Sequence, residues 1–254
     1  MTTVELLALA GTGIVAGWVN VMAAGGSMLT VPMLVFLGLS GPSANGTNRV
    51  AIIAQNIAAV AAFSRGGFAN VRLALVLSLA AVPGAIVGAS VGVKLDGVWF
   101  DRLLAVTLAV MLIWMLWPHK GGATAEHQTG APISRQRWAG GLALMFIAGA
   151  WGGFIQIGVG FLLMPILHRV LGLDLVRVNA LKVLIVLLYM GFALFVYARS
   201  TEIYWLGGAA LAAGMATGGW LGAHTTLRGG EVWVRRVFAG VIVVIAARLL
   251  LFGS

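Results

Sequence analysis

Slid by 134 residues, the chain meets itself: Arg65 falls on Arg199, Gly88 and Ala89 on Gly222 and Ala223, Trp99 on Trp233, and Arg102 on Arg236. The same offset pairs Gly38 with Gly172, Leu39 with Leu173, Asn45 with Asn179, Ala59 with Ala193, Gly84 with Gly218 and Ala105 with Ala239, while Pro32 finds Pro165 one residue earlier. Matches of Trp and Arg at one offset do not follow from a shared Leu, Ala and Gly content. The chain therefore reads as two homologous repeats, 1–117 and 138–254, joined by a polar linker, 118–137, whose Gly, Thr, Gln and Pro content marks it as a connection rather than a folded module. A duplicated hydrophobic unit is the usual architecture of secondary transporters, whose substrate sites form where the repeats meet.

Composition fixes the solvent. With 61% hydrophobic and 9% charged residues, the chain lies far from the roughly 45–50% and 25% of soluble domains. It reads as an all-α integral membrane protein. Its 36 glycines suit close helix packing in lipid. The absence of cysteine excludes disulfides, thiolate metal sites and Cys nucleophiles. No cleaved signal peptide is expected, because Met1 to Leu9 carries Glu5 and no basic n-region. A net charge of +9 would point to nucleic acid in a soluble protein. In a membrane protein it is read as Lys and Arg collected in cytoplasmic loops, with no nucleic-acid partner.

The hydrophobic runs are 5–24, 27–39, 49–64, 73–93 and 100–117, then 138–157, 159–171, 183–198, 204–226 and 237–252. Most exceed the length that crosses about 30 Å of hydrocarbon, whereas the second and seventh, at about 13 residues, would reach only about 20 Å as helices. Those two are short or broken elements, so the count is about 8–10 membrane segments. If all ten runs cross with the N-terminus outside, the cytoplasm receives Arg65, Arg72, Lys120, Arg135, Arg137, Arg169, Arg177, Lys182, Arg228, Arg235 and Arg236, the bias the positive-inside rule expects. Eight crossings give a weaker bias. Five crossings per half invert the second repeat against the first, the symmetry that serves alternating access, and put both termini on the periplasmic or extracellular side.

The informative residues surround the short runs. Ala23 Ala24 Gly25 Gly26 Ser27 Met28 lies before the second run, and Gln156 Ile157 Gly158 Val159 Gly160 Phe161 stands at the matching place before the seventh. Each Gly-rich break should open a helix, where unpaired N–H groups and the positive dipole end make a weak anion cradle; the alternative is a tight turn with glycines chosen for packing. Gly41 Pro42 Ser43 Ala44 Asn45 Gly46 Thr47 Asn48 Arg49 and Val178 Asn179 Ala180 Leu181 Lys182 follow the short runs, and are expected to be extended segments at membrane depth whose polar groups line a cavity. The offset sets Lys182 against Asn48, so one of two equivalent positions carries a cation and an anion is the natural guest. Against this stands snorkelling of Arg49 and Lys182 to the headgroups. Gln55, Asn56, Tyr189 and Tyr197 serve equally as ligands or as interhelical hydrogen-bond partners.

These residues resemble a known family. Gly25 Gly26 Ser27 Met28 Leu29 Thr30 Val31 Pro32, the Ala44 Asn45 Gly46 Thr47 Asn48 Arg49 stretch, the Gly84 Ala85 Ile86 Val87 Gly88 Ala89 block and Asn179 Ala180 Leu181 Lys182 Val183 are similar to the TauE/SafE family over nearly the whole chain. The resemblance implies a bacterial inner-membrane permease exporting sulfite, sulfoacetate and related organic anions, commonly drawn with about eight crossings.

Other chemistries find no support in the sequence. His119, His127, His168 and His224 show no metal-binding spacing, no Walker loop is present, and none of the seven acids lies in mid-run, so a carboxylate proton relay is missing. No cofactor or metal is expected, and no enzymatic activity. The expectation is a potential-driven exporter of small sulfur-containing oxyanions working by alternating access, with its substrate held by Gly25, Gly26, Ser27, Asn45, Thr47, Asn48, Arg49, Gln156, Gly158, Gly160 and Lys182. A coupled importer of similar anions, an anion channel and a non-transporting membrane scaffold are the alternatives, and the oligomeric state is open.

Overall fold

The computed structural model describes residues 1–252 apart from Ala24, Ala69, Asp96 and 117–133, with the side chains of Ala23, 111–116 and 230–252 also outside the description. Most of the expected linker, with His119, Lys120, Glu126 and His127, lies outside the described residues. So do the side chains of Glu231, Trp233, Arg235, Arg236 and Arg248.

Among the described residues the chain is entirely helical: α1 Thr3–Ala23, α2 Ser27–Phe36, α3 Gly41–Arg65, α4 Val71–Gly92, α5 Val98–Leu116, α6 Arg135–Phe154, α7 Val159–Pro165 continued by a π-helical turn Ile166–Val170, α8 Leu175–Ser200 and α9 Trp205–Phe252. Thr3–Met22, Val71–Gly92 and Leu175–Ser200 are each long and apolar enough to cross a membrane. Two short apolar helices, Ser27–Phe36 and Val159–Val170, stand where short runs were expected.

Two expectations are corrected. The segment Gly41–Arg49 is not extended but forms the first turns of α3, and Val178–Lys182 lies in the first turns of α8. The reason is local. Ser40 has the extended backbone of a helix cap and Pro42 sits in the first turn of α3, where its missing N–H costs nothing; Asp174 caps α8 by accepting from the Arg177 amide. Separate ninth and tenth elements are not formed either. Both runs lie on α9, 48 residues long, since no proline stands between Leu227 and Arg236 to stop it.

The two halves of the chain interleave. α1 packs along α9, α4 along α6, and α3 lies between α8 and α9. A Cβ on Gly84 would strike the Phe146 carbonyl of α6, and one on Gly218 the Ile14 carbonyl of α1. At such positions only glycine lets two backbones approach. α3 and α8 run antiparallel: Ser43 Oγ donates to the Glu202 carbonyl (2.6 Å) just past the end of α8, while Ala62 and Phe63 at the other end of α3 pack on Ala180 and Val183 near the start of α8.

Candidate functional site

The site is built where α1 and α6 stop inside the bundle. Both end in glycine-containing breaks before the short helices, leaving C-terminal carbonyls without intrahelical partners and the negative end of each helix dipole. In lipid such groups must be satisfied by protein, and each end receives a cation from the opposite half. Lys182 Nζ, on α8, donates to the Asn20 and Val21 carbonyls of α1 (3.1 and 2.8 Å) and to Asn179 Oδ1 (2.9 Å). Arg49, on α3, donates to the Gly152 (3.1 Å) and Gly153 carbonyls of α6 and to Asn45 Oδ1 (3.5 Å), with its guanidinium 4.3 Å from the centre of the Tyr197 ring. The last carbonyl of α6, on Phe154, accepts from Asn45 Nδ2 (2.8 Å) and from the Tyr197 hydroxyl (2.7 Å).

Neither cation snorkels. Arg49 is 0% and Lys182 3% exposed, and no described Asp or Glu side chain is buried with them. Among the described residues the interior thus holds a guanidinium and a lysine amine that meet backbone and amide oxygens and the Tyr197 ring, and no carboxylate.

Beside Lys182 a small cavity of about 10 Å³ is lined by Asn20, Gln55 and Asn56 from the first half and Gln156, Val159, Gly160, Lys182, Val183 and Val186 from the second. That is space for about one water molecule. Gln156 reaches it from a left-handed backbone, φ 63°. Such a conformation is uncommon for a residue with a side chain and costs about 1–3 kcal/mol where the surroundings enforce it. Here the Tyr189 hydroxyl donates to Gln156 Oε1 (3.0 Å) and the Trp151 indole to the Ile157 carbonyl (2.8 Å). Gly158, φ 71°, completes the turn and caps α7.

Of the residues singled out in the sequence, the structure brings Gln55, Asn56, Gln156, Gly160 and Lys182 to one cavity. Gly25 stands nearby, its Cβ position 3.9 Å from the Phe161 ring, so the two breaks adjoin; Gly26 is packed against Ala16 and Asn20, with no room for a side chain. Ser27 is buried at the start of α2. Asn48 Oδ1 accepts from Thr30 (2.7 Å), Thr47 Oγ1 accepts from the Tyr204 amide (3.0 Å), and Asn45 and Arg49 hold the end of α6. Sequence reasoning missed Asn20, a lone polar residue in the last turns of an apolar helix, and that isolation was the available signal.

Two open clefts lie at opposite ends of the α3–α8 pair. One, about 940 Å³, is lined by residues including Leu39, Ser43, Thr201, Glu202 and Tyr204; the other, about 680 Å³, by residues including Gly66, Gly67, Asn70, Leu173 and Arg177. α3, 25 residues long, spans about 37 Å between them.

Long apolar helices, helix ends buried inside the bundle, a small polar cavity and a cleft at either end define a multi-pass membrane transporter. The chain belongs to the sulfite exporter TauE/SafE family, matching it over residues 9–249; this is a transporter family and not an enzyme family. It is 28% identical to a "probable membrane transporter protein" of Xylella fastidiosa (strain 9a5c), over 97% of this chain and 95% of that one. It is 25% identical to the "probable membrane transporter protein YunE" of Bacillus subtilis (95% and 96% covered) and 26% identical to a "probable membrane transporter protein" of Haemophilus influenzae (91% and 89%). No solved structure gives a significant match.

Proposed function

We propose that this chain exports small sulfur-containing oxyanions, sulfite or a short organosulfonate such as sulfoacetate, by alternating access between two inverted repeats in the bacterial inner membrane. The observation that carries this reading is the pair of fully buried cations, Arg49 and Lys182, with no buried carboxylate among the described residues. An interior of that charge attracts an anion and repels a cation. Gln156, Gly160 and Lys182 contact the substrate with Asn56, while Gly25, Gly26, Ser27 and Gly158 shape the walls that part. Asn45, Thr47, Asn48 and Arg49 hold the frame.

Inversion is supported by the two clefts. At the 134-residue offset Leu39 corresponds to Leu173, Ser43 to Arg177, Ser200 to Gly66, Thr201 to Gly67 and Tyr204 to Asn70, so equivalent residues line opposite ends of one bundle. Gly38 and Gly172, also equivalent, both take left-handed backbones, φ 91° and 69°. Arg65, Arg72, Arg135, Arg137, Arg169, Arg177 and Arg228 belong to the end of the second cleft, and Lys94, Arg102 and Arg199 to the other; that bias supports a cytoplasmic second cleft and an N-terminus outside. α9, about 72 Å long as a straight helix, exceeds twice the hydrocarbon thickness.

An inside-negative potential drives an anion outward by about 2.3 kcal/mol per charge per 100 mV, so export needs no coupled ion. The test is flux of labelled sulfite and sulfoacetate in liposomes holding only the purified chain. Saturable flux that follows an imposed potential is expected. Strict dependence on a cotransported ion would make it a coupled importer, single-channel conductance a channel, and absence of flux a scaffold.

A further inference from the structure

The buried amide side chains share an orientation. Asn20 Nδ2 donates to Gln55 Oε1 (3.0 Å) and Gln55 Nε2 to Asn56 Oδ1 (3.4 Å). Tyr189 donates to Gln156 Oε1, Lys182 to Asn179 Oδ1 and Thr30 to Asn48 Oδ1. In each case the carbonyl oxygen is already engaged by a protein donor. At the other end of these side chains, Asn48 Nδ2, Asn56 Nδ2 and Asn179 Nδ2 are buried with no acceptor. Asn56, 2% exposed, lines the cavity, as do Gln156 and Lys182. The backbone oxygens that Lys182 meets, on Asn20 and Val21, are likewise taken. No carboxylate is present to receive a proton from a guest among the described buried residues.

A buried donor left without an acceptor is costly, and the chain in which Asn20 donates to Gln55 and Gln55 to Asn56 leaves that cost at Asn56 Nδ2 on the cavity wall. A guest with only lone pairs to offer removes it. A guest bringing its own O–H or N–H adds another unpaired donor facing the existing ones, the mismatch that gives polar sites their sharpest discrimination.

We propose that the cavity beside Asn56, Gln156 and Lys182 is a donor-only anion site: it takes oxyanions without O–H or N–H groups, such as the sulfite dianion, sulfate or a plain sulfonate, and rejects protonated oxyanions and ammonium-bearing sulfonates of equal size. This rests on the anion-transport reading and narrows its substrate class. In the closed form the cavity admits only about one water, so the guest enters when the halves part.

Sulfate and hydrogen phosphate isolate the claim, having the same shape and charge at mildly alkaline pH and differing by one O–H. Competition against labelled sulfite on the detergent-purified full chain should favour sulfate about tenfold or more, and methanesulfonate over taurine in the same sense. Asn56→Asp, which supplies an acceptor, should reverse the order of sulfate and hydrogen phosphate. Should that variant not fold, Gln156→Glu makes the same test, and the parent's ligand series stands without either. Equal competition by sulfate and hydrogen phosphate overturns the donor-only site and leaves the anion site in place. Failure of sulfite and of every sulfonate to bind overturns the anion reading itself and this inference with it.

Discussion

Lys182 has three N–H bonds to give and three oxygens that take them, so its attraction for an anion acts as charge at the cavity wall more than as a free hydrogen bond. Lys182→Gln removes the charge and part of the cap on α1 together. We expect anion affinity to fall on the order of tenfold to a hundredfold, with partial rescue by Lys182→Arg, whose planar fork fits a different geometry. Arg49 is the control. It caps α6 but does not line the cavity, so Arg49→Lys should lower the melting temperature while reducing affinity less than Lys182→Gln does. Thermal melts and sulfite titrations on both variants check this, and equal losses of affinity would place Arg49 in the binding wall. The sequence singled out Lys182 and Arg49, because each stands in a polar cluster just after a short run and the repeat offset sets Lys182 against Asn48. It did not show their partners, since those are backbone carbonyls, which every residue has.

At the scale of the helices, boundaries carried by turn chemistry were legible and boundaries set by packing were not. The short second and seventh runs appear as α2 and as α7 with its π-helical turn, because glycines open each. Ser40 and Pro42 open α3, a signal that the reading of Gly41–Arg49 as an extended segment passed over, and the bundle buries the polar groups of Asn45 and Arg49 against α6 and α8. The glycines of α4 and α9 give the sharpest test of these contacts. Gly84→Val and Gly218→Val force a side chain against a neighbouring backbone and should abolish the folded, monodisperse protein in gel filtration. Gly191→Ala, with nothing within 4 Å of its Cβ position, should be tolerated and gain up to about 1 kcal/mol from helix propensity.

For the molecule as a whole, the absence of native cysteine makes the two clefts directly testable. Ser43→Cys and Glu202→Cys should react with an impermeant thiol reagent from the periplasmic side, and Asn70→Cys and Leu173→Cys from the cytoplasmic side of inverted vesicles. Labelling of all four from one side would defeat the inverted arrangement. The residue matches at one offset point to two halves but not to how they pack. Which helix of one half lies on which helix of the other is decided by pairs such as Gly84 with Phe146 and Gly218 with Ile14, and a single chain does not record such pairs.

That interleaving bears on how the protein is made. When the ribosome has released α1 to α5, α1 still lacks α9, α4 lacks α6, and Arg49 sits in α3 with no carbonyl end to receive it. The first half must therefore wait in the membrane as loosely held helices, and its polar side chains invite proteolytic quality control until α6 to α9 arrive. Residues 1–117 expressed alone should be degraded, and co-expression with 118–254 should protect both pieces in a pulse-chase experiment, since completion of the bundle depends on the last helix synthesised.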